Sequence, residues 1–257
     1  MTGAAGLIGR YLRDLLPEAY PKLRLSDIAD LGEARPGEEL DRTDLRDRAA
    51  VDKMVQGVDG IIHLGGIPGK HTWDDISAIN IEGTRNVLEA AREHGVKRIV
   101  FASSNHAIGF YPRDQRIDHT AAPLPDSRYG VSKAAGEALC AMYAYRHAIG
   151  ALVIRIGHVN LRPKEDRHLA IWQSPRDLLQ LVRIGLDRPG LRHEVVYGVS
   201  DNQRSWWDNA NAVRLGYRPV DRSEDYASSV TAGAPQSCAA DEAIVGKYQG
   251  GFYCVLP

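Results

Sequence analysis

The residues Thr2-Gly3-Ala4-Ala5-Gly6-Leu7-Ile8-Gly9 decide the fold, because their regularly spaced glycines run directly into a helical pattern. Glycines in such a loop allow a tight turn and let backbone N–H groups approach a pyrophosphate at a helix N-terminus. Asp27 ends the apolar run Leu23–Ser26 roughly twenty residues beyond the loop, where a carboxylate accepts hydrogen bonds from adenosine ribose hydroxyls. The spacing predicts a dinucleotide site. No Lys or Arg directly follows Asp27, which favours NAD over NADP.

Short β-branched runs alternate with longer stretches of helical period, which predicts an α/β fold: a Rossmann-like, doubly wound parallel sheet covered by helices. The predicted strands run from Leu23 to Ser26, Gly60 to Leu64, Arg98 to Ser103 and Leu152 to Ile156. The predicted helices run from Ile8 to Leu16, Asp47 to Val55, Ile79 to His94 and Ser132 to His147. Residues 1–157 are therefore assigned to a cofactor-binding domain.

Beyond Gly157 the alternation weakens, and residues 158–257 are expected to form a smaller substrate-binding region, a lid over the carboxyl edge of the sheet with segments that return to the first domain. Two helical stretches are predicted there, near Arg176 to Leu186 and Asn209 to Leu215, with one strand, Glu194 to Tyr197.

A dinucleotide loop normally follows an apolar strand, but here Met1 immediately precedes the loop. That strand is central in the usual order, so its neighbours would keep unpaired backbone groups that cost about 1–3 kcal/mol each when buried. We expect this chain to lack the first strand and to be compromised unless upstream residues supply it.

Charge, hydropathy and cysteine usage narrow the function classes. Lys plus Arg (32) nearly balances Asp plus Glu (33), so no overall field favours nucleic acid or an anionic membrane as partner. Neither a membrane-spanning apolar run nor a signal-peptide pattern is present. Cys140, Cys238 and Cys254 lack metal-ligand spacing. These features predict a cytoplasmic protein without a metal, acting on a small molecule.

Tyr129 and Lys133 stand four residues apart at the start of a predicted helix and so share one face. Removing hydride from an alcohol requires a base for the hydroxyl proton, and a phenol of pKa about 10 must be lowered to serve. Lys133 can supply the lowering field, aided by a positive nicotinamide ring. Ser104, at the end of the strand that begins at Arg98, is chosen to bind the reacting oxygen. The three predict an NAD-dependent dehydrogenase.

The glycine loop, Asp27, Asp44-Leu45, HLGG (His63 to Gly66), Asn80, SSN (Ser103 to Asn105) and YGVSK (Tyr129 to Lys133) together resemble an extended short-chain dehydrogenase. More narrowly, the segments FASSNHAIGFYP (Phe101 to Pro112), WWDN (Trp206 to Asn209) and QGG (Gln249 to Gly251) resemble bacterial uronate dehydrogenases. That family oxidises the C1 hydroxyl of cyclic glucuronate or galacturonate with NAD, giving an aldarolactone.

The resemblance also implies residue roles. The cofactor would be held, besides Tyr129 and Lys133, by Gly3, Gly6, Leu7, Ile8, Gly9, Asp27, Asp44, Leu45, Leu64, Gly65, Gly66 and Asn80. The substrate would be held by Ser104, Asn105, His106, Tyr129, His158 and Arg167. Arg167 would take the uronate carboxylate through a bidentate fork. Pro68 and His158 stand where the family usually presents a serine hydroxyl, so the outer hydroxyls are read differently or the sugar is not a uronate.

Two alternatives stay open. One is a nucleotide-sugar epimerase or dehydratase on the same scaffold, although the roughly 100 residues after the last core strand favour a smaller substrate. The other is an inactive or non-catalytic NAD-binding protein, if the first strand is missing. His63 is predicted to be structural, and a homo-oligomer, a dimer or larger, is expected through the helices from Ile79 to His94 and from Ser132 to His147.

Overall fold

The computed structural model describes residues 1–230 and 239–256; Cys238, counted above among the cysteines, lies outside them. The strands are β1 (Leu23–Ser26), β2 (Glu38–Asp41), β3 (Gly60–His63), β4 (Arg98–Ser104), β5 (Gly150–Ile156), β6 (His158–Val159), β7 (Trp172–Gln173) and β8 (His193–Gly198). The α-helices are α1 (Leu7–Leu15), α2 (Arg48–Val55), α3 (Trp73–Ile76), α4 (Gly83–Glu93), α5 (Arg128–His147), α6 (His168–Ile171), α7 (Pro175–Asp187), α8 (Ala210–Arg214) and α9 (Ala239–Lys247). A π-helix spans Ser77–Glu82, and 3₁₀ turns span Leu16–Glu18, Asn105–Ile108, Ser223–Ser229 and Gly251–Val255.

The predicted parallel α/β sheet is confirmed. Strands β3, β4, β5 and β8 form one parallel run in that order, and β1 pairs in parallel with β2. Thr2 joins the two parts, because it makes parallel bridges to both Ser26 and His63. The Ser26 N–H donates to the Met1 carbonyl at 2.8 Å, and the Thr2 N–H donates to the Ile62 carbonyl at 3.0 Å. Met1 and Thr2 thus lie between the carboxyl ends of β1 and β3.

A cavity of about 580 Å³ occupies the rest of the position between β1 and β3, walled by Leu23, Gly60, Ile62 and Leu186 among others. The Met1 ammonium lies at this cavity and donates to the Arg24 carbonyl at 2.6 Å. Burial lowers the pKa of this amino group to about 5, because a low-dielectric site disfavours its charge. The sheet therefore closes only at its carboxyl edge on this side.

Part of residues 158–257 returns to the main sheet rather than lying over its carboxyl edge. Strand β8 pairs with β5 inside the main sheet, and α7 packs on β4 and β5 rather than over the carboxyl edge. The reason lies in the apolar face of α7, since Leu178, Leu181 and Val182 are buried against the sheet. Helix α7 lies in the connection between the parallel strands β5 and β8, so it packs on the face of the sheet as a crossover helix.

Two further elements differ from expectation. Strand β2 was not predicted, because its sequence Glu-Glu-Leu-Asp is polar and it lies at the edge of the sheet. The helix predicted from Ile79 begins as a π-helix and becomes α-helical at Gly83. None of the helices in the described ranges is long and apolar enough to cross a bilayer.

The start of α5 is fixed by its cap. The Ser127 hydroxyl accepts the Gly130 N–H at 3.1 Å, satisfying one of the free donors in the first turn. Tyr129 and Lys133 therefore occupy the first two turns, beside the carboxyl end of β4.

Candidate active site

The glycine loop forms a cradle into which side chains would not fit. Gly3 has a φ of 68°, and a Cβ there would lie 2.8 Å from the Gly65 nitrogen. A Cβ at Gly9 would lie 2.4 Å from the Gly3 carbonyl oxygen. Helix α1 follows with Gly6 at its N-cap, no side-chain cap and no acidic residue in its first turn. Its first N–H groups are thus available to an anion, as a bound pyrophosphate requires.

Asp27 holds the shape of this loop. Its Oδ2 accepts the Ala5 N–H at 3.0 Å, and its Oδ1 accepts the Ala29 N–H at 3.0 Å. The carboxylate lines a cavity of about 430 Å³ beside the glycine loop. The predicted residues that line this cavity are Gly3, Gly6, Asp27, Asp44, Leu45, Leu64, Gly65 and Gly66.

A second cavity, of about 580 Å³, continues from the first, because Gly3, Gly6, Leu64 and Gly66 line both. Leu7, Ile8 and Gly9 line this second cavity instead of the first. It also contains Ser104, Tyr129 and Lys133. An elongated space that runs from an acidic ribose site, past uncapped N–H groups, to a Tyr/Lys pair fits a nicotinamide dinucleotide.

Two of the residues singled out in the sequence lie behind the cavity walls. The Asn80 amide accepts the Ile67 N–H at 2.8 Å and donates to the Ser132 hydroxyl at 2.9 Å, so it ties the loop after β3 to α5. Asn80 lines neither cavity and therefore supports the cofactor site without entering it. His63 is fully buried, with one ring nitrogen 2.7 Å from the Thr2 hydroxyl and the other 3.0 Å from that of Thr84. Both ring nitrogens thus have protein partners, as expected for the structural role predicted for His63.

The three candidate catalytic side chains meet at the carboxyl end of β4. The Ser104 hydroxyl accepts the His106 N–H at 3.2 Å, and it lines the same cavity as the Tyr129 phenol. Lys133 places Nζ 5.6 Å from the centroid of the Tyr129 ring and donates to the Ala102 carbonyl at 2.8 Å. The neighbouring Ser103 donates instead to Glu137, at 2.6 Å. Successive side chains along β4 point to opposite faces of the sheet, so Ser104 and Ser103 have different partners.

The ionisation of this group differs from what its sequence spacing suggested. Burial raises the pKa of Tyr129 above its usual value, and the nearby Ser104 hydroxyl offsets this only in part. Burial also lowers the pKa of Lys133, to about 8. We had expected Lys133 to lower the pKa of the phenol, but desolvation disfavours both charged forms and outweighs that attraction here. The phenol is therefore neutral in this structure.

Arg167 reaches the same cavity from the loop before α6. Its Nε and Nη2 donate to the Gln249 carbonyl at 3.2 and 2.6 Å. With the Asn105 amide oriented to satisfy both its ends, its oxygen accepts from Arg167 Nη2 at 3.0 Å and its nitrogen donates to the Ile156 carbonyl. The Nε/Nη2 edge of the guanidinium is thus held by Gln249, which leaves the predicted bidentate fork without this edge, and Nη1 is the nitrogen without a protein partner in residues 1–230 and 239–256.

Arg167 also has no carboxylate partner in the described part of the chain. Burial, reinforced by the nearby Arg113 cation, lowers the pKa of its guanidinium to about 10. A half-buried cation that no acid neutralises is costly, and an anionic ligand relieves that cost.

His158 stands at the wall of this cavity, with its ring stacked 3.5 Å from that of His168. Its Nε2 is buried and has no hydrogen-bond partner in the part of the chain that the structure describes. Burial lowers the pKa of His158 to about 4, so the ring is neutral near pH 7. Pro68 lines the same cavity and offers no donor.

Two contributors to the site, Tyr253 and Asp126, were not predicted from the sequence. Tyr253 stacks on His106 with ring centroids 3.6 Å apart. The segment that carries Tyr253 is anchored by Gln249, whose side chain accepts from the Trp207 indole at 2.8 Å. Asp126 lies 2.7 Å from the Nδ1 atom of His106. The QGG motif signalled this segment, but no pattern placed Tyr253 or Asp126 against His106.

Comparison with known proteins agrees with this geometry. A family model described as the NAD dependent epimerase/dehydratase family matches residues 1–223. The chain belongs to this family. A uronate dehydrogenase from Pseudomonas putida is 48% identical over 99% of this chain and 94% of its own length. The crystal structure of a glucuronic acid dehydrogenase from Chromohalobacter salexigens is 43% identical, with a TM-score of 0.94 over 100% of this chain and 96% of that one. A tyrosine-to-alanine variant of the Agrobacterium tumefaciens uronate dehydrogenase, solved with NAD, is 40% identical, with a TM-score of 0.93 over 100% and 96% of the two chains.

Proposed function

We propose that the protein is an NAD-dependent dehydrogenase that oxidises the C1 hydroxyl of a cyclic hexuronic acid, glucuronate or galacturonate, to an aldarolactone. The observation that carries this proposal is Arg167, a half-buried guanidinium without a carboxylate partner among the described residues, in the same cavity as Tyr129 and Ser104. A substrate carboxylate supplies the missing negative charge. Uronate dehydrogenases at 40–48% identity support the same substrate class.

The residues of the chain divide the chemistry among them. The Ser104 hydroxyl orients the C1 oxygen. Tyr129 is neutral without the cofactor, and it acts as the base after its phenolic proton has left to solvent, as the phenolate that takes up the C1 hydroxyl proton. Lys133, held by the Ala102 carbonyl, stabilises that phenolate from across the ring. NAD, when bound, accepts the hydride and contributes the positive charge of its oxidised ring. Oxidation of a hemiacetal to a lactone needs no further group.

At the other end of the sugar, Arg167 and Asn105 hold the carboxylate, and the imidazole of His106 faces the ring hydroxyls. His158 forms part of the wall where the family usually presents a serine hydroxyl, but its Nε2 is buried. His158 therefore contributes the shape of the wall rather than a hydrogen bond to the sugar.

A nucleotide-sugar epimerase needs room for a second diphosphate. Here the C-terminal segment closes the substrate cavity, because Gly250, Phe252 and Tyr253 form part of its wall. The cavity volume of about 580 Å³ must also admit the nicotinamide end of the cofactor. The geometry therefore favours a free sugar acid.

The direct test is a panel of uronates, their neutral sugars and one nucleotide sugar, each incubated with NAD while NADH absorbance is followed. Glucuronate or galacturonate should give a kcat/KM at least tenfold above that of glucose or galactose. Preference for the neutral sugars, or turnover of the nucleotide sugar alone, would contradict the proposal.

The proposal includes a homo-oligomer formed through α4 and α5. These helices pack on each other, and α5 exposes Met142 and Tyr145 on its outer surface. Exposed apolar side chains on one helix face favour association with a second copy. Light scattering after size exclusion should give at least twice the mass of 28.3 kDa, and Tyr145→Glu should lower it to that of one chain.

A further inference from the structure

Asp126 is a buried carboxylate directly behind the His106 ring. Its side chain has no exposed surface, and its Oδ2 lies 2.7 Å from His106 Nδ1. The second oxygen, Oδ1, accepts the Ser127 hydroxyl at 2.8 Å. The main chain repeats the link, because the Asp126 N–H donates to the His106 carbonyl at 3.2 Å. The carboxylate and the imidazole are therefore held together by a side-chain contact and by a main-chain hydrogen bond.

Glycines make room for this carboxylate. A Cβ at Gly109 would lie 1.8 Å from Asp126 Oδ2, and one at Gly250 would lie 1.9 Å from the same atom. Gly130, in the first turn of α5, would place a Cβ 3.2 Å from Oδ1. Three separate segments therefore pack their glycine backbones directly against the Asp126 carboxylate, where any side chain would clash. The described residues include no Lys or Arg in an ion pair with it, so His106 is its charge-assisted partner.

This pairing decides which nitrogen of His106 carries the proton. An ionised carboxylate only accepts, so Nδ1 must be the donor. Burial lowers the pKa of His106, and the attraction of Asp126 offsets this only in part, so the ring is neutral near pH 7. Nε2 is then a bare acceptor. The His106 side chain lines the cavity that also contains Ser104, Tyr129 and Arg167.

Aromatic neighbours fix the plane of the same ring. Tyr253 stacks on one face of His106, with centroids 3.6 Å apart and an interplanar angle of 18°. Tyr129 meets it nearly edge-on, with centroids 5.8 Å apart and an angle of 62°. Asp126 fixes the rotation of the ring within that plane. The acceptor lone pair therefore points in one direction, as a group that reads a substrate must.

We propose that Asp126 is a positioning residue that holds His106 in the Nδ1–H tautomer, so that Nε2 accepts a hydrogen bond from a hydroxyl of the bound sugar acid. The nature of the substrate in this statement rests on the proposed function, but the tautomer does not. A cavity built this way recognises a hydroxyl and discriminates against an analogue that lacks it, because the desolvated Nε2 would stay unpaired.

The informative substitution is Asp126→Asn, which preserves shape and inverts the hydrogen-bond pattern. The Ser127 hydroxyl donates to Oδ1, so the oxygen of an asparagine stays on that side and its NH₂ group faces His106. Nδ1 must then accept, and the proton moves to Nε2. We expect KM for the uronate to rise about ten- to hundredfold, kcat to fall less, and the Kd of NAD to stay within twofold.

A double-mutant cycle separates positioning from simple packing. In a His106→Gln background, Asp126→Asn should change KM no further, since the residue acts through the imidazole. Additive effects in the two backgrounds would overturn the proposal. Ser127→Ala is the matched control, because it removes the other partner of Asp126 and the α5 cap. That control should lower the Tm while leaving KM for the uronate within twofold.

The tautomer is also measurable in the unaltered enzyme, which keeps the test independent of how the variants fold. Nitrogen-15 histidine spectra of the wild type should show His106 protonated on Nδ1, and those of Asp126→Asn should show it protonated on Nε2. A wild-type ring protonated on Nε2, or on both nitrogens at pH 7, would refute the assignment of Asp126. Failure of the wild type to oxidise uronates would instead refute the proposed function and leave the spectra valid.

Discussion

Replacing Arg167 by lysine tests the carboxylate site most directly. The guanidinium spends Nε and Nη2 on the Gln249 carbonyl and keeps Nη1 for a ligand. A lysine at this position retains the charge, but its single ammonium must choose between the Gln249 carbonyl and the substrate. Arg167→Lys therefore keeps the positive charge but loses the ability to bind the Gln249 carbonyl and the substrate carboxylate at the same time.

The expected magnitude follows from the bonds at stake. A charge-assisted hydrogen bond to a carboxylate contributes about 1.5–3 kcal/mol, which corresponds to about ten- to a hundredfold in affinity. We expect KM for glucuronate or galacturonate to rise by that factor in Arg167→Lys. Turnover of the matching neutral sugar, measured at the same NAD concentration, should change less than threefold because that sugar has no carboxylate to bind the Arg167 cation.

The assay compares initial rates of NADH formation for each uronate and its neutral sugar, in wild type and variant. Lys164→Gln is the control, since Lys164 is an exposed cation three residues away that does not line the cavity. Lys164→Gln should leave KM for the uronate within twofold. This result would show that Arg167 acts by direct contact with the carboxylate and not by long-range attraction between the loop's positive charge and the substrate. Equal losses for both substrate classes in Arg167→Lys would show that the residue only anchors the C-terminal segment, and the carboxylate assignment would fail.

Three other predictions concern the catalytic base, the cofactor and the sheet. Tyr129→Phe should lower kcat by roughly 100- to 10,000-fold with NAD affinity unchanged by fluorescence titration, and near-normal turnover would remove the phenol from its role. The wild type should prefer NAD to NADP by at least tenfold in kcat/KM because a 2′-phosphate would meet Asp27, and Asp27→Asn, which keeps an acceptor for the Ala5 N–H, should narrow that ratio. An apolar extension of five or six residues before Met1 should raise the Tm by filling the cavity between β1 and β3, and equal Tm values would show that the gap costs nothing. The pKa of the Met1 amine is lowered from 8.0 to about 5 in the folded chain, so between pH 5 and pH 8 the amine takes up a proton on unfolding. Its contribution to the free energy of unfolding therefore falls as the pH drops from 8 to 5. The extended chain, which has no buried amine at this position, should lack this part of the pH dependence of Tm.

The sequence by itself determined the fold class and the outline of the cofactor site. Periodicity and glycine spacing are local, and they report the backbone conformations that the loop before α1 and the strands β1, β3 and β4 adopt. The same local signal chose Ser104, Tyr129 and Lys133, which do meet at one edge of the sheet. Parallel strands bring their carboxyl ends to a common edge, so order along the chain was enough.

Only the tertiary structure decided the electrostatics and the substrate end of the site. Desolvation depends on everything packed around a group, so spacing could not show that burial raises the pKa of Tyr129. The partners of Arg167 and of His106 come from residues 82 and 20 positions away, Gln249 and Asp126. No periodic pattern links such distant positions. The Arg167 contact exists because the chain returns over the sheet edge after β8, whereas the connection between β4 and α5 brings Asp126 back to His106. Both paths are set by global packing rather than by local propensity.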